Sequence, residues 1–208
     1  MRSRPLGYLL SCAGALLFAF AAGNYGVGMW QQQEARRAWD EAEARAIVAL
    51  ARRTVTADGL LPAPVLTGAP VARLLIPRLG LDEIVIEGVD DFALNGGPGH
   101  LPGSAFPGEA GNSIISAHRD RHFSSLGAIA VGDTVITESG PHRTQWVVLS
   151  KRVIDADAPA LYRTPDATLT LTTCWPIRYI GTAPERLLVV AKPVRQPKNG
   201  TFASANST

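Results

Sequence analysis

Thiols are scarce: Cys12 and Cys174 are the only cysteines among 208 residues. Cys12 lies in an apolar N-terminal run, far from Cys174 along the chain, so no intrachain disulfide is expected. Charge is sparse too, at 18% of residues against 46% hydrophobic, with a net charge of +2. Lys and Arg are scattered, without a basic stripe or an aromatic-interleaved patch, which sets nucleic acid aside as a partner. No acidic cluster has the spacing of a calcium loop. No internal repeat is visible, and the length and apolar content suit one ordinary domain with accessory segments.

Arg2 and Arg4 precede an apolar run from Leu6 to Trp30, interrupted only by small or mildly polar residues such as Ser11, Gly14, Gly23 and Asn24. A run of about 25 positions is enough to cross a bilayer. Tyr25 and Trp30 suit an interfacial belt, and the leading arginines suit a cytoplasmic N-terminus, although Arg36 and Arg37 weaken the asymmetry. Ala19-Phe20-Ala21 has the form of a signal-peptide cleavage site, and Leu9-Leu10-Ser11-Cys12 that of a lipoprotein box. The apolar character continues past Ala21, and the box follows too short an apolar region. Residues 1–30 are therefore expected to be an uncleaved anchor with a cytoplasmic tip, which places the rest on the extracytoplasmic side of a cell membrane.

Residues 31–70 read as a membrane-proximal helix followed by a linker. Gln31 to Arg53 is rich in Ala, Glu, Arg and Gln, with Arg37, Glu41 and Arg45 at i,i+4 spacing on a solvated face and Trp39, Ala46 and Leu50 near one side. Asp58 to Pro70 holds Gly and Pro among small residues. From 71 to 195 the pattern changes to short β-branched segments: Val71–Ile76, Glu83–Ile86, Ser113–Ala117, Thr134–Thr137, Thr144–Ser150 extended by Lys151–Ile154 past a bend, Leu169–Thr173 and Arg186–Lys192. Helical turns are expected at Asp90–Leu94 and Phe123–Ile129, and loop or a turn at Asp157–Pro165. The Gly- and Pro-rich stretch from Asn95 to Asn112 predicts an irregular connection or a groove wall. Many short strands with turn signals between them indicate an all-β barrel or sandwich. The polar tail, 196–208, is expected to be disordered.

The stretch Leu169 to Pro176, L-T-L-T-T-C-W-P, delivers Cys174 to a strand end. A lone cysteine is by default a small buried hydrophobe. Ser113–Ala117, however, delivers His118 to a second strand end, and a closed barrel brings such ends together. A thiolate attacks a carbonyl when an imidazole assists it and donates a proton to the leaving group. A guanidinium or backbone N–H can steady the resulting oxyanion, and Arg186 opens the final strand.

Thr170 to Cys174 (T-L-T-T-C), Ala117 to Asp120 (A-H-R-D) and the trailing Arg186 together resemble the sortases, membrane-anchored cysteine transpeptidases. Gly97-Pro98-Gly99-His100-Leu101-Pro102-Gly103-Ser104 followed by Gly111-Asn112 is similar to the class D group. Cys-Trp-Pro with Arg-Tyr-Ile-Gly is similar to its proteobacterial members. The resemblance covers about Val71 to Val194 and departs at Ala117, where many relatives carry Gly. It implies a closed eight-stranded barrel with a groove for a C-terminal Leu-Pro-x-Thr-Gly-like sorting signal on a partner surface protein. It also implies that Cys174 attacks the Thr carbonyl, His118 protonates the departing amine, Arg186 steadies the oxyanion and Thr173 helps to shape that site. The acyl group would pass to an amine of cell-wall peptide or protein, or to water; no cofactor is implied.

The remaining histidines are weaker candidates. His118 and His122 have the spacing of a helical metal pair, but no third ligand is evident, so no metal is expected. His100 and His142 are expected to be exposed loop residues, with His100 free to line the groove. Trp175 either covers the thiol or packs. Competing functions are a peptide hydrolase, an L,D-transpeptidase disfavoured by the absence of a Ser-His-Gly-Cys box, and a catalytically idle peptide-binding membrane domain.

Overall fold

The computed structural model describes residues 4–52, 66–140, 142–158, 163–179 and 181–194, and excludes the side chains of residues 4–7 and 43–52. The expected disordered tail, and all but the last residues of the expected linker, lie outside this set.

Eight strands close a barrel in the order β1-β2-β3-β4-β7-β8-β6-β5. They are β1 (Pro70–Ile76), β2 (Leu81–Glu87), β3 (Gly99–His100), β4 (Asn112–Ser116), β5 (Thr134–Ser139), β6 (His142–Asp155), β7 (Thr168–Trp175) and β8 (Glu185–Pro193). Closure leaves no free sheet edge. The pairings are antiparallel except β2 with β3 and β4 with β7. A parallel pair needs a long crossover, and β5 and β6 lie within the one between β4 and β7. The bend expected in β6 is a register shift between Val148 and Ser150.

Strand alternation builds the core. Leu74 and Ile76 of β1, Ile115 of β4, Leu169 and Leu171 of β7, and Leu187 and Val189 of β8 point inward together with Trp146, all buried. Trp146 donates its indole N–H to the Thr137 hydroxyl at 2.8 Å, which satisfies its one polar atom. β7 differs from a simple half-exposed strand, since Thr170 and Thr172 on its outer face are also buried. A strand covered on both faces is rigid, and this one carries Cys174.

α1 (Arg4–Arg52) runs without a break from the apolar segment through the expected membrane-proximal helix. It contains a segment, Tyr8–Ala42, long and apolar enough to cross a membrane. Past Trp30 the helix docks on the barrel. The Gln32 amide accepts from Ile84 N at 3.0 Å and donates to Gly96 O at 3.0 Å, while Arg36 and Arg73 both reach Asp82. Trp39 is buried, as its side of the helix predicted, and Arg37 and Glu41 are exposed.

The stretch from Asn95 to Asn112 is more ordered than its composition suggests. It contains the end of α2 (Asp91–Gly96), capped by the Asp90 side chain on Ala93 N, and the whole of β3. Gly99 is there for closeness: a Cβ on it would lie 2.0 Å from the Gly88 carbonyl oxygen. The expected helix at Phe123–Ile129 is a single 3-10 turn, Leu126–Ala128.

Candidate active site

The parallel β4–β7 ladder pairs Asn112 with Thr168 and continues in step to Ser116 with Thr172. Ala117 N donates to Thr172 O at 3.2 Å, carrying the ladder one residue further. Extended one residue further, the same offset would set His118 beside Cys174. On the other side, Cys174 is the direct partner of Arg186 in the antiparallel β7–β8 pair. Paired residues on neighbouring strands project to the same face, with strands about 4.8 Å apart. Cys174 thus shares a face with Arg186 at one end of the sheet, and His118 follows the end of β4 on its other side. This is the outer face, since Leu171, Ala117 and Leu187 take the alternate, inward positions.

Each of the three is held differently. Cys174 is free and half-buried. His118 lies just beyond β4 in a turn closed by Phe123 N donating to His118 O at 3.1 Å, and Phe123 and Leu126 anchor that turn in the core. Burial holds the His118 imidazole below its ordinary pKa, opposed by the nearby Asp120 carboxylate and reinforced by Arg121. The imidazole is therefore neutral at neutral pH, the form that accepts a proton. Arg186 is exposed and donates from Nε to Ala156 O at 3.2 Å.

Thr173 is 3% exposed and turns inward, donating its hydroxyl to Ala117 O at 2.7 Å. Its side chain is spent on joining the ends of β4 and β7. Trp175 packs against the core cluster and close to Gly127.

His100 corrects the sequence expectation of an exposed loop residue. It belongs to β3 and is 1% exposed, with Nδ1 2.7 Å from the Glu87 carboxylate. Its Nε2 lies 2.9 Å from Ser104 Oγ and 3.0 Å from Ala105 O, and its ring stacks on Phe106 at 4.9 Å. A Gly-rich strand can approach its neighbours closely enough to bury such a ring, which composition alone registers as loop. His142 is exposed at the start of β6. His122 sits 3.6 Å from Glu83, and no group of three metal-ligating side chains is gathered among the described residues.

Along the same outer face a cleft of about 450 Å³ is lined by Leu101, Ser104, Asn112, Ile114, Arg163 and Thr164. Ile114 pairs with Thr170, four residues before Cys174 on β7, so the cleft and the Cys174 end are about 13 Å apart. That is the reach of four extended residues. Sequence reasoning missed two features: the Glu87–His100–Ser104 cluster that braces this wall, and Arg119, whose guanidinium reaches the far connection. The only signal for Arg119 was its place directly after His118.

Comparison with known proteins points to one family. The Sortase domain family model matches residues 74–194. Sortase D of Bacillus subtilis (strain 168) is 30% identical over 130 residues, covering 62% of this chain and 66% of that protein, so the chain matches just under two thirds of its relative's length. Among solved structures, the catalytic domain of B. anthracis SrtD is 29% identical with a TM-score of 0.54, covering 67% of this chain and 97% of that one. A Clostridium perfringens Sortase D5 transpeptidase shares the fold, with a TM-score of 0.63 at 22% identity over 82% of this chain and 99% of that one. With the family model spanning more than half of the chain, and a closed eight-stranded barrel shared with solved sortases, the chain belongs to the sortase family.

Proposed function

We propose that this protein is a membrane-anchored cysteine transpeptidase with its catalytic domain on the extracytoplasmic side. It would cleave a C-terminal Leu-Pro-x-Thr-Gly-like sorting signal and transfer the partner protein to an amine. The observation that carries this reading is the register: Arg186 pairs directly with Cys174, and the β4–β7 ladder, which ends at Ser116 and Thr172, supports a placement of His118 on the other side of the thiol. The apolar segment of α1 would be the anchor. An extended peptide lying along the outer face would fill the cleft near Ile114 and present its fourth residue to Cys174.

The neutral imidazole of His118 takes the Cys174 proton as sulfur attacks the Thr carbonyl. Arg186 and a backbone N–H near Thr173 steady the oxyanion, since the Thr173 hydroxyl is already engaged. Collapse breaks the Thr–Gly C–N bond, and the imidazolium of His118 protonates the departing amine. A thioester remains. An incoming amine gives its proton to His118 as it attacks the thioester, forming the new amide and releasing the thiol; water in its place gives hydrolysis.

The test uses the full chain in detergent micelles with a sorting-signal peptide. Mass spectrometry should show the acyl-enzyme on Cys174, and Cys174→Ala should abolish both the adduct and turnover. Retained turnover in that variant ends the proposal. Products with and without a small primary amine separate transfer from hydrolysis.

A further inference from the structure

We propose that Arg119 is a positioning residue that locks the turn carrying His118 to the connection between Cys174 and Arg186. The proposal rests on the reading of Cys174 and His118 as the reacting pair. Arg119 follows His118 directly, and its Nη2 donates to two carbonyls of that connection, Tyr179 O at 2.9 Å and Gly181 O at 2.8 Å. Its guanidinium carbon also lies 5.7 Å from the centroid of the Tyr179 ring. One planar group therefore grips the connection on both sides of residue 180.

Both partners need such a grip. β4 ends at Ser116, and the ladder bond from Ala117 N to Thr172 O precedes His118, so strand pairing does not hold the histidine itself. Phe123 fastens the turn to the core from its far side only. In the connection, the described residues Arg178, Tyr179, Gly181 and Thr182 are all exposed, so core packing fixes none of these four. Exposed segments with few buried contacts open readily. Arg119 joins these two weakly held pieces, one bearing the imidazole and the other leading from the nucleophile to Arg186. A lysine keeps the charge and has donors enough, but presents them from a compact ammonium on a flexible stem, so it holds the two carbonyls less rigidly than the planar guanidinium. A displacement of about 1 Å between reacting groups is enough to cost about a hundredfold in rate.

The experiment compares the full chain with Arg119→Gln and Arg119→Lys in detergent micelles. It follows hydrogen exchange of residues 177–183, the pH dependence of Cys174 alkylation by iodoacetamide, and kcat and KM for a sorting-signal peptide. Arg119→Gln should speed exchange in that segment, shift the alkylation midpoint and lower kcat by about tenfold or more, while KM stays within about twofold. Arg119→Lys should recover part of each effect, and because it keeps the charge it decides the matter if the Gln variant does not fold. Unchanged exchange overturns the proposal. Faster exchange with an unaltered alkylation midpoint and kcat overturns it as well, since that is the signature of a clamp with only a structural role. If the unsubstituted chain fails to cleave peptide, the transpeptidase reading falls, while exchange and alkylation still judge Arg119.

Discussion

Thr172 and Thr173 are neighbours on β7, and replacing each by Val should have opposite consequences. Thr173 is 3% exposed and donates a 2.7 Å hydrogen bond to the carbonyl of Ala117, itself 5% exposed. Valine preserves the β-branch and nearly the volume, so Thr173→Val removes the bond and leaves a buried carbonyl without that donor. Such a loss costs about 1–3 kcal/mol. At about 4 °C per kcal/mol for a domain of this size, Tm falls by about 4–12 °C. Thr172 is 7% exposed, and its hydroxyl has no partner among the described residues. Thr172→Val removes an uncompensated polar atom and should be neutral or stabilising by about 0.5 kcal/mol. Thermal unfolding followed by tryptophan fluorescence, with the fully buried Trp146 among the reporters, gives both midpoints. Equal losses in the two variants, or none in Thr173→Val, would refute the assignment of this hydrogen bond as the tie between the strand ends.

The His118 imidazole should titrate below 6.5 when followed by NMR in Cys174→Ala, where thiol coupling is absent, because burial disfavours its charged form. The sign for stability follows. A depressed cationic pKa means that the unfolded chain binds the proton more readily, so this site destabilises the fold as pH drops below 6.5, and His118→Gln should lessen that acid sensitivity. Asp120 is the foremost group raising this pKa, so Asp120→Asn should move the midpoint lower still, and an upward move would contradict the assignment. Gly99→Ala places a Cβ 2.0 Å from Gly88 O and 2.9 Å from Leu94 Cδ2. It should cost about 3 kcal/mol in urea unfolding, and full native stability would show that β3 has room to spare.

How much was legible in the sequence followed element length. β1, β4, β7 and β8 run long enough for alternation to show, and their positions in the chain matched the expectation within a residue or two. The two-residue β3 is too short for any period, and its glycines serve close approach, so His100 looked like loop and is core. Cys174 and His118 were visible because chemistry-bearing residues ended β-branched runs. The grip of Arg119 was not, because a guanidinium bound to carbonyls 60 and 62 residues away depends on tertiary placement alone. The continuity of α1 was legible only in part: no Pro breaks the passage from Trp30 to Gln31, yet a change of composition there suggested a change of element.

Because the β4–β7 register sets how far the strand leading to His118 reaches beside the strand of Cys174, the proposed chemistry depends on that register as well as on the turn that follows. The first turn of the crossover between the two strands carries Arg119 and Phe123 and holds His118, so changes of length leave its position intact only beyond that turn and wherever β4 and β7 keep step. A slip of one residue in that pairing would turn His118 to the opposite face and put Ala117 or Arg119 beside the thiol. Two side-chain bonds across the same strand pair oppose such a slip. Thr170 Oγ1 donates to Asn112 Oδ1 at 2.8 Å near one end, and Thr173 Oγ1 donates to Ala117 O at 2.7 Å near the other. Either bond is lost at an odd register, since the outward Thr170 would face an inward position and the inward Thr173 an outward one. These two threonines, both preceding Cys174, thus act through the backbone, by making one strand alignment cheaper than its neighbours.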